Sequence, residues 1–168
     1  RIARLLGSRV ALRSTLGAGS RFSVEVPRAR ASALPLPASQ GLEGLHVLVV
    51  DNEPEALAAL AAVLRGWGCI VSAVPDGAAA EAVLARGDCA LWIFDYHLDH
   101  GDDGVALHAR LAARGVAAPC LILSADQTGA VRVAAQEAGL PLLVKPLRPL
   151  ALKSVLDRML AARAARPG

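Results

Sequence analysis

His46-Val-Leu-Val-Val-Asp51-Asn52-Glu53-Pro54 is the most informative segment of this 168-residue chain. An apolar run ends there in two acids and an amide, and proline follows where the first turn of a helix would begin. From Leu57 to Leu64, apolar residues then recur at helical spacing. The stretch therefore predicts a buried strand that leads directly into a helix, with polar side chains at the junction.

The chain beyond this stretch repeats the alternation of short apolar runs and helical segments. The helical stripe after the last run consists of Leu152, Val155, Leu156 and Met159. Strands that alternate with helices predict an α/β domain over residues 45–164, a (βα)5 parallel sheet with helices on both faces. The five predicted strands are Leu45–Val50, Cys69–Val74, Cys89–Phe94, Pro119–Leu123 and Pro141–Val144.

The composition limits the class of protein. Hydrophobic residues make up 54% of the chain and aromatic residues only 3%, which predicts an aliphatic core. Because there is no run of about 18 apolar residues and no signal peptide, we expect a soluble, cytoplasmic chain, truncated at its N-terminus and without membrane contact of its own. Cys69, Cys89 and Cys120 are odd in number and far apart, which predicts buried free thiols.

The charge of the chain is unevenly distributed. Residues 1–44 carry seven arginines and two glutamates, whereas residues 45–168 carry eleven basic and thirteen acidic residues. Because the basic surplus is scattered arginine in a short N-terminal piece, we expect no nucleic-acid binding. The composition also predicts three regions: a segment 1–27, a linker 28–44 rich in Ala, Pro, Ser and Gly, and the α/β domain.

Polar side chains follow four of the five predicted strands. Asp51-Asn52-Glu53 follow the first strand, Asp95 the third, Ser124 the fourth and Lys145 the fifth. The carboxyl ends of parallel strands share one edge of a sheet, so we expect these groups to converge. Two carboxylates can hold a divalent cation, while an ammonium and a hydroxyl can stabilise a transferred phosphoryl group.

Each of these residues has a structural alternative when it is taken singly. Asp51 or Asn52 could cap a helix, Asp95 could be a turn residue, and Lys145 could be a solvated loop charge. The joint order of acidic cluster, Asp, Ser and Lys-Pro after four strands is what indicates phosphoryl chemistry.

Four motifs make the chain resemble the receiver domains of response regulators from about Leu45 to Leu160. The resemblance implies a flavodoxin-like, doubly wound parallel sheet with strand order 2-1-3-4-5 and a cis peptide bond before Pro146. It also implies Mg²⁺-dependent transfer of a phosphoryl group from a phosphohistidine in a two-component phosphorelay. The motifs are His46–Pro54, Ile93-Phe-Asp95-Tyr-His-Leu, Leu121-Ile-Leu-Ser124-Ala and Leu143-Val-Lys145-Pro146.

The same resemblance implies a role for each site residue. Asp95 would accept the phosphoryl group, and Asp51 and Asp95 would ligate Mg²⁺ together with the backbone carbonyl of His97. Ser124 would bind a phosphoryl oxygen, and Lys145 would pair with the acyl phosphate.

Three features depart from the usual receiver pattern. Asn52 stands where a second acid is common, so either Asn52 or Glu53 would complete the metal site. The loop Tyr96–Gly104 lacks the common proline and is about one residue longer. The switch position on the fifth strand, usually aromatic, is Leu142.

Other polar residues near the site receive simpler interpretations. Asp99, Asp102 and Asp103 are predicted to form a solvated loop, and His108 to lie on a helix surface. His97 and His100 could tune hydrolysis of the phosphoryl group, but they lack the paired spacing of a zinc site.

The segment 1–27 resembles the end of the ATPase domain of histidine kinases. Arg1–Leu6 would close a helix, and Gly17-x-Gly19-Ser20-x-Phe22 would join two strands, although the glycines alone would also fit a hairpin turn. Together with the receiver-like domain, the segment implies the C-terminal part of a hybrid sensor histidine kinase, which could be membrane-associated. Because the ATP-holding motifs of that family are absent, we expect this fragment not to bind ATP.

The expected partner is a phosphohistidine domain of the parent or of a partner kinase. A histidine phosphotransfer protein and a second copy of the chain are further candidates. Two other functions stay open. A pseudo-receiver, with the same fold but no phosphate turnover, is suggested by Asn52 and Leu142. A magnesium-dependent phosphohydrolase would need an acid two residues after its aspartyl nucleophile, which Asp51-Asn52-Glu53 matches loosely.

Overall fold

The computed structural model describes residues 9–15, 17, 19–25, 41–126 and 128–164. The chain divides into two compact units, Arg1–Ala38 and Ser39–Gly168. The predicted helix end Arg1–Leu6 and residues 28–40 of the predicted linker lie outside the described residues. The limits of the predicted linker therefore stay a prediction.

The first unit contains an antiparallel hairpin. Strand β1, Arg9–Thr15, pairs with strand β2, Gly19–Glu25, in a register that sets Thr15 opposite Gly19. Gly17 and Gly19 have φ angles of 79° and 90°, in the left-handed region that a tight hairpin turn requires. The two glycines that the sequence singled out therefore make the turn between two strands.

The second unit is built on a parallel sheet of five strands. Their spatial order is β4-β3-β5-β6-β7, which confirms the predicted order 2-1-3-4-5 within this domain. Each strand begins one or two residues later than predicted, and β5 and β6 extend one residue further, to Asp95 and Ser124. The strands are β3 His46–Val50, β4 Ile70–Val74, β5 Leu91–Asp95, β6 Cys120–Ser124 and β7 Leu142–Val144.

Five α-helices connect and follow these strands. Pro54 occupies the first turn of α1, as predicted, because proline needs no hydrogen-bond partner for its nitrogen there. Gly66 is the last residue of that helix. A short 3₁₀ turn, Asp99–Gly101, precedes α3. The helices are α1 Pro54–Gly66, α2 Gly77–Leu84, α3 Gly104–Ala113, α4 Gly129–Glu137 and α5 Pro149–Ala164.

The core has one cluster on each face of the sheet. Alternate residues of β3 show the division, because Val47 and Val49 pack with leucines of α1 and α5, while Leu48 and Val50 pack with side chains of α2 and α3. Each fully buried aliphatic side chain contributes roughly 1.5–3 kcal/mol. The predicted aliphatic core is thus present on both faces, as expected for a parallel sheet covered on both sides.

Aromatic residues are few, but two of them lie at the centre of one cluster. Trp92 and Phe94 are fully buried on β5 and stack with their ring centroids 5.6 Å apart. The three cysteines are free and buried, as predicted. Among the described residues, none of the helices has both the length and the apolar character needed to cross a membrane.

Candidate functional site

The predicted site residues converge at the carboxyl edge of the sheet. Asp51 directly follows β3, Asp95 and Ser124 end β5 and β6, and Lys145 directly follows β7. The chain passes from β3 to β4 on one side and then crosses back to β5 on the other side of β3. Such a reversal of strand order opens a crevice at the carboxyl edge of the sheet. The structure therefore brings together all four groups that the sequence placed after these strands.

Lys145 bridges the two carboxylates. Its Nζ donates hydrogen bonds to Asp51 Oδ2 at 2.8 Å and to Asp95 Oδ1 at 2.7 Å. Asp51 is 2% exposed and Asp95 6% exposed. Lys145 is therefore not the solvated loop charge of the structural alternative. One ammonium neutralises only one of two buried carboxylates, so the site retains a net negative charge that can attract a cation.

Burial and the ammonium act in opposite directions on these groups. Burial raises the pKa of Asp95 above its ordinary value, against the lowering influence of the hydrogen bond from Lys145. Burial tends to lower the pKa of Lys145, but the hydrogen bonds to Asp51 and Asp95 hold that pKa above its usual value. The bridge thus keeps the lysine charged while Asp95 carries a cost for being ionised.

Removal of the bridging ammonium should destabilise the fold. For Lys145→Met we expect a loss of about 2 kcal/mol in the free energy of unfolding at pH 7, because two buried carboxylates lose their counter-charge. The loss should shrink as the pH falls through the raised pKa of Asp95, since protonation removes one of the two charges. Urea unfolding at a series of pH values from 3 to 7 measures both effects, with exposed Arg86→Met as the control. A loss that stays the same over the whole series would contradict this account.

The remaining carboxylate oxygens are held by backbone groups. Asp51 Oδ1 accepts a hydrogen bond from the Glu53 backbone N–H at 2.9 Å, and Asp95 Oδ2 accepts one from the His97 N–H at 3.2 Å. The N-cap residue of α1 is Glu53, whose side chain makes no capping hydrogen bond. Neither Asp51 nor Asn52 therefore caps this helix, and the carboxylate of Asp51 points into the site.

Ser124 lies on the strand next to Asp95. Its side chain is fully buried, and its Oγ accepts a hydrogen bond from the backbone N–H of Asp126 at 3.0 Å. Since a hydroxyl also carries one donor, the O–H of Ser124 can be directed at an oxygen of a bound anion.

The metal-binding residues that the resemblance implied form an incomplete acidic set. Asn52 is half-buried and its Nδ2 donates to Asp99 Oδ1 at 2.7 Å, whereas Glu53 is exposed. Within the described parts of the chain, no cluster of three or more His, Cys, Asp or Glu side chains is arranged to hold a metal ion. Two carboxylates, one amide and the His97 carbonyl still fit Mg²⁺, because this ion keeps several waters and needs few protein ligands.

The loop after β5 is more ordered than the sequence suggested. Asp102 receives a two-pronged contact from Arg110 of α3, at 2.8 and 2.6 Å, and Asp103 Oδ1 caps α3 by accepting from Ala106 N–H at 2.7 Å. Asp99 accepts the hydrogen bond from Asn52. The interpretation as a solvated loop is therefore wrong for Asp102 and Asp103, which are half-buried and paired, whereas Asp99 is exposed.

The missed contacts differ in how visible they are in the sequence. An aspartate before the first helical residue is a capping signal that identifies Asp103. No local pattern joins Arg110 to Asp102, because the two residues meet only when α3 packs beside the loop. The loop also carries an isolated antiparallel bridge between His97 and Asp103.

Three histidines show how environment separates similar residues. His108 lies on helix α3, as predicted, but its side chain is half-buried and edge-on to Trp92, with ring centroids 6.0 Å apart. Burial lowers the pKa of His108. His97 is exposed, and its Nε2 lies 3.8 Å from Asp126 Oδ2, on the rim of the site. His46 Nε2 and Ser72 Oγ lie 2.9 Å apart, between β3 and β4.

Two further expectations from the resemblance concern the strand that carries Lys145. The Lys145–Pro146 peptide bond is cis, as expected. Leu142 is the first residue of β7, is half-buried and packs with the cluster around Trp92. The switch position is therefore aliphatic and partly enclosed.

Comparison with known sequences points to one family. The family model described as "Response regulator receiver domain" matches residues 47–157. The transcriptional regulatory protein TcrA of Mycobacterium tuberculosis is 36% identical over 110 residues, which cover 66% of this chain and 43% of TcrA. ZraR of Salmonella typhimurium, also named a transcriptional regulatory protein, is 33% identical over 118 residues, 70% of this chain and 26% of ZraR. The chain thus spans less than half the length of these relatives.

Comparison of the coordinates finds the same architecture in solved structures. A signal receiver domain of an HD domain-containing protein from Pseudomonas fluorescens Pf-5 aligns with a TM-score of 0.67 and 23% identity, over 74% of this chain and all of that one. A CheY-like receiver domain protein from Methanospirillum hungatei JF-1 aligns with a TM-score of 0.64 and 18% identity, over 73% of this chain and 98% of the other. At these identities the alignments establish the fold.

Proposed function

The chain belongs to the family of response regulator receiver domains, and from that premise we propose that its domain 45–164 accepts a phosphoryl group on Asp95 with the help of Mg²⁺. The contact that supports this proposal most is the bridge from Lys145 Nζ to both Asp51 and Asp95. A buried carboxylate pair at the carboxyl edge of a parallel sheet, with one ammonium and one hydroxyl beside it, is suited to bind a dianionic phosphoryl group through a cation.

The transfer would form a bond between an Asp95 carboxylate oxygen and phosphorus while the phosphorus–nitrogen bond of the donor phosphohistidine breaks. The electron pair of the broken bond stays on the imidazole nitrogen. Lys145 lies against the acceptor carboxylate and can donate to a phosphoryl oxygen, and the Ser124 hydroxyl can donate to another. The His97 backbone N–H orients the carboxylate of Asp95. Asp51, Asp95, the His97 carbonyl and the Asn52 amide would hold Mg²⁺, which when bound would neutralise the negative charge of the carboxylates and the phosphoryl group.

The test is intact-protein mass spectrometry after incubation of the chain with a small-molecule phosphodonor, with and without Mg²⁺. We expect one added phosphoryl group that requires Mg²⁺ and is released at alkaline pH, as an acyl phosphate is. A folded protein that gains no mass in the presence of Mg²⁺ would overturn the proposal.

A second candidate function, the pseudo-receiver, is favoured by one observation. Asn52 leaves the metal site one acid short, and its Nδ2 is already engaged by Asp99. An inert protein of this fold would act as a binding module only. The same mass measurement separates the two functions, because the pseudo-receiver gains no phosphoryl group.

We also propose that the chain comes from a hybrid sensor histidine kinase, with residues 1–27 as the end of the ATPase domain. The β1–β2 hairpin supports this origin, because Leu12 is 58% exposed and a lone two-stranded hairpin is only marginally stable without further strands to pack on. The relatives named above are called transcriptional regulators, so the opposing origin is a regulator with a DNA-binding domain.

An immunoblot of the native protein with an antibody against residues 45–164 decides between these origins, followed by peptide mapping of the band. We expect a species much larger than 168 residues whose additional peptides include an ATP-binding domain N-terminal to Arg1. Additional peptides from a DNA-binding domain would contradict it. In this proposal the phosphodonor is a phosphohistidine domain of the parent or a partner kinase, and the domain works in the cytoplasm.

A further inference from the structure

The feature of this site that the receiver resemblance does not account for is the hydrogen bond between Asn52 and Asp99. Asn52 stands where a second acid is common, and Asp99 comes from the lengthened loop after β5. The two side chains meet at 2.7 Å, with Asn52 Nδ2 donating to Asp99 Oδ1. The carboxylate of Asp99 therefore lies beside position 52, where the usual second acid is missing.

We propose that Asp99 supplies to the cation site the negative charge that position 52 lacks, and that it does so as a positioning residue acting through Asn52. The inference rests on the proposed function only in that it concerns the same Mg²⁺ site. With Asp51, Asp95 and Lys145 alone the site carries one net negative charge. Addition of the Asp99 carboxylate makes the local charge equal and opposite to that of Mg²⁺.

The hydrogen bond also fixes which atom of Asn52 is available. An ionised carboxylate has acceptor atoms only, so the amide must turn its nitrogen towards Asp99. Among the described residues, the amide oxygen Oδ1 of Asn52 accepts no hydrogen bond. Asp99 therefore leaves Asn52 with an unengaged oxygen, and carbonyl-type oxygen is a ligand type that Mg²⁺ accepts.

The side chain of Asp99 is exposed, but the loop holds its backbone in place. The Leu98 N–H donates to the Asp102 carbonyl at 3.2 Å, and the Asp102 N–H donates to the Asp99 carbonyl at 3.3 Å. Leu98 is buried, and Arg110 grips the Asp102 side chain. This closed loop presents Asp99 beside Asn52.

The site contains a second acid that could serve instead, namely Glu53. Its side chain is exposed, as is that of Asp99, but Asp99, unlike Glu53, is hydrogen-bonded to Asn52. The part of Glu53 in the site is its backbone N–H, which binds Asp51. The inference therefore favours Asp99 over Glu53, and it can be tested by comparing the two.

The experiment is calorimetric titration of the whole 168-residue chain with MgCl₂, in the absence of any phosphodonor. We expect Asp99→Asn to raise the dissociation constant for Mg²⁺ about tenfold, because one nearby negative charge is lost. Glu53→Gln and Asp88→Asn, the latter exposed on the loop before β5, should change it less than about twofold. Asn52→Asp introduced into Asp99→Asn should restore the affinity, because the charge returns to the usual position.

Several outcomes would overturn the inference. One is a dissociation constant for Mg²⁺ that is unchanged or lower in Asp99→Asn. Another is a larger rise of this constant in Glu53→Gln than in Asp99→Asn. A third is a double variant whose affinity for Mg²⁺ does not recover. A lower unfolding midpoint of Asp99→Asn without Mg²⁺, together with an unchanged dissociation constant, would assign Asp99 a purely structural role. The titration contains no phosphodonor, so its result does not depend on phosphorylation. A protein that binds Mg²⁺ through Asp99 but gains no phosphoryl group in the separate mass measurement would contradict only the proposed function.

Discussion

Asp95→Asn is expected to abolish phosphoryl uptake completely and to raise the free energy of unfolding at pH 7 by roughly 1 kcal/mol. The first effect follows because an amide is a far poorer nucleophile than a carboxylate. The second follows because Asp95 is buried beside Asp51, with one ammonium between them. A residue kept for chemistry would thus lower the stability of the fold that carries it.

The pH dependence of this gain can be worked out from the direction of the pKa shift. Burial raises the pKa of Asp95 in the folded protein. A raised folded pKa means that the contribution of Asp95 is most favourable below its unfolded pKa and is lost as the pH rises through the folded pKa. The advantage of Asp95→Asn should therefore be absent near pH 3, develop as the pH rises through the folded pKa, and be complete above it.

Mass spectrometry and urea unfolding over that pH range measure the two effects. Asp88→Asn is a suitable control, because Asp88 is exposed on the loop before β5 and should change neither quantity. Phosphoryl uptake by Asp95→Asn would mean that another residue is the acceptor. A stability difference that does not vary with pH would mean that the burial of the charge is not its cause.

Gly104→Ala is expected to lower the free energy of unfolding by about 3 kcal/mol, because the added methyl group would overlap the backbone of the site. A Cβ at Gly104 would collide with the carbonyl oxygen of Asp95 and lie 3.0 Å from Cβ of Phe94. The backbone there cannot yield easily, since the Gly104 N–H donates to the Tyr96 carbonyl at 3.0 Å. We expect Gly104→Ala to displace the acceptor strand as well as to destabilise it.

Gly129→Ala provides a matched control. Gly129, like Gly104, is the first residue of its helix, but a Cβ there has no neighbour within 4 Å. Removal of a glycine where the space is open should leave stability unchanged or raise it by a few tenths of a kcal/mol. Equal unfolding midpoints for the two alanine variants would contradict this prediction, because the backbone would then accommodate a methyl group at Gly104 without loss of stability.

Local patterns along the chain were enough to predict the order of strands and helices and the polar groups at the strand ends. Alternation of apolar runs with helical stripes is a local property, so the five strands were predicted to within two residues. Asp51, Asp95, Ser124 and Lys145 were found because each directly follows or ends a strand, and parallel strands end at a common edge.

The pairing of charges that are far apart in the chain could not be predicted from such local patterns. Lys145 and Asp51 are 94 positions apart in the sequence, and Asn52 and Asp99 are 47 positions apart. Contacts at such separations produce no local pattern in the sequence. The partner of Arg110, the burial of His108 and the close approach of Gly104 to Asp95 likewise depend on how helices pack on loops and sheet. Local propensity fixes elements along the chain, whereas contacts between elements are fixed only when the core closes and brings their ends together.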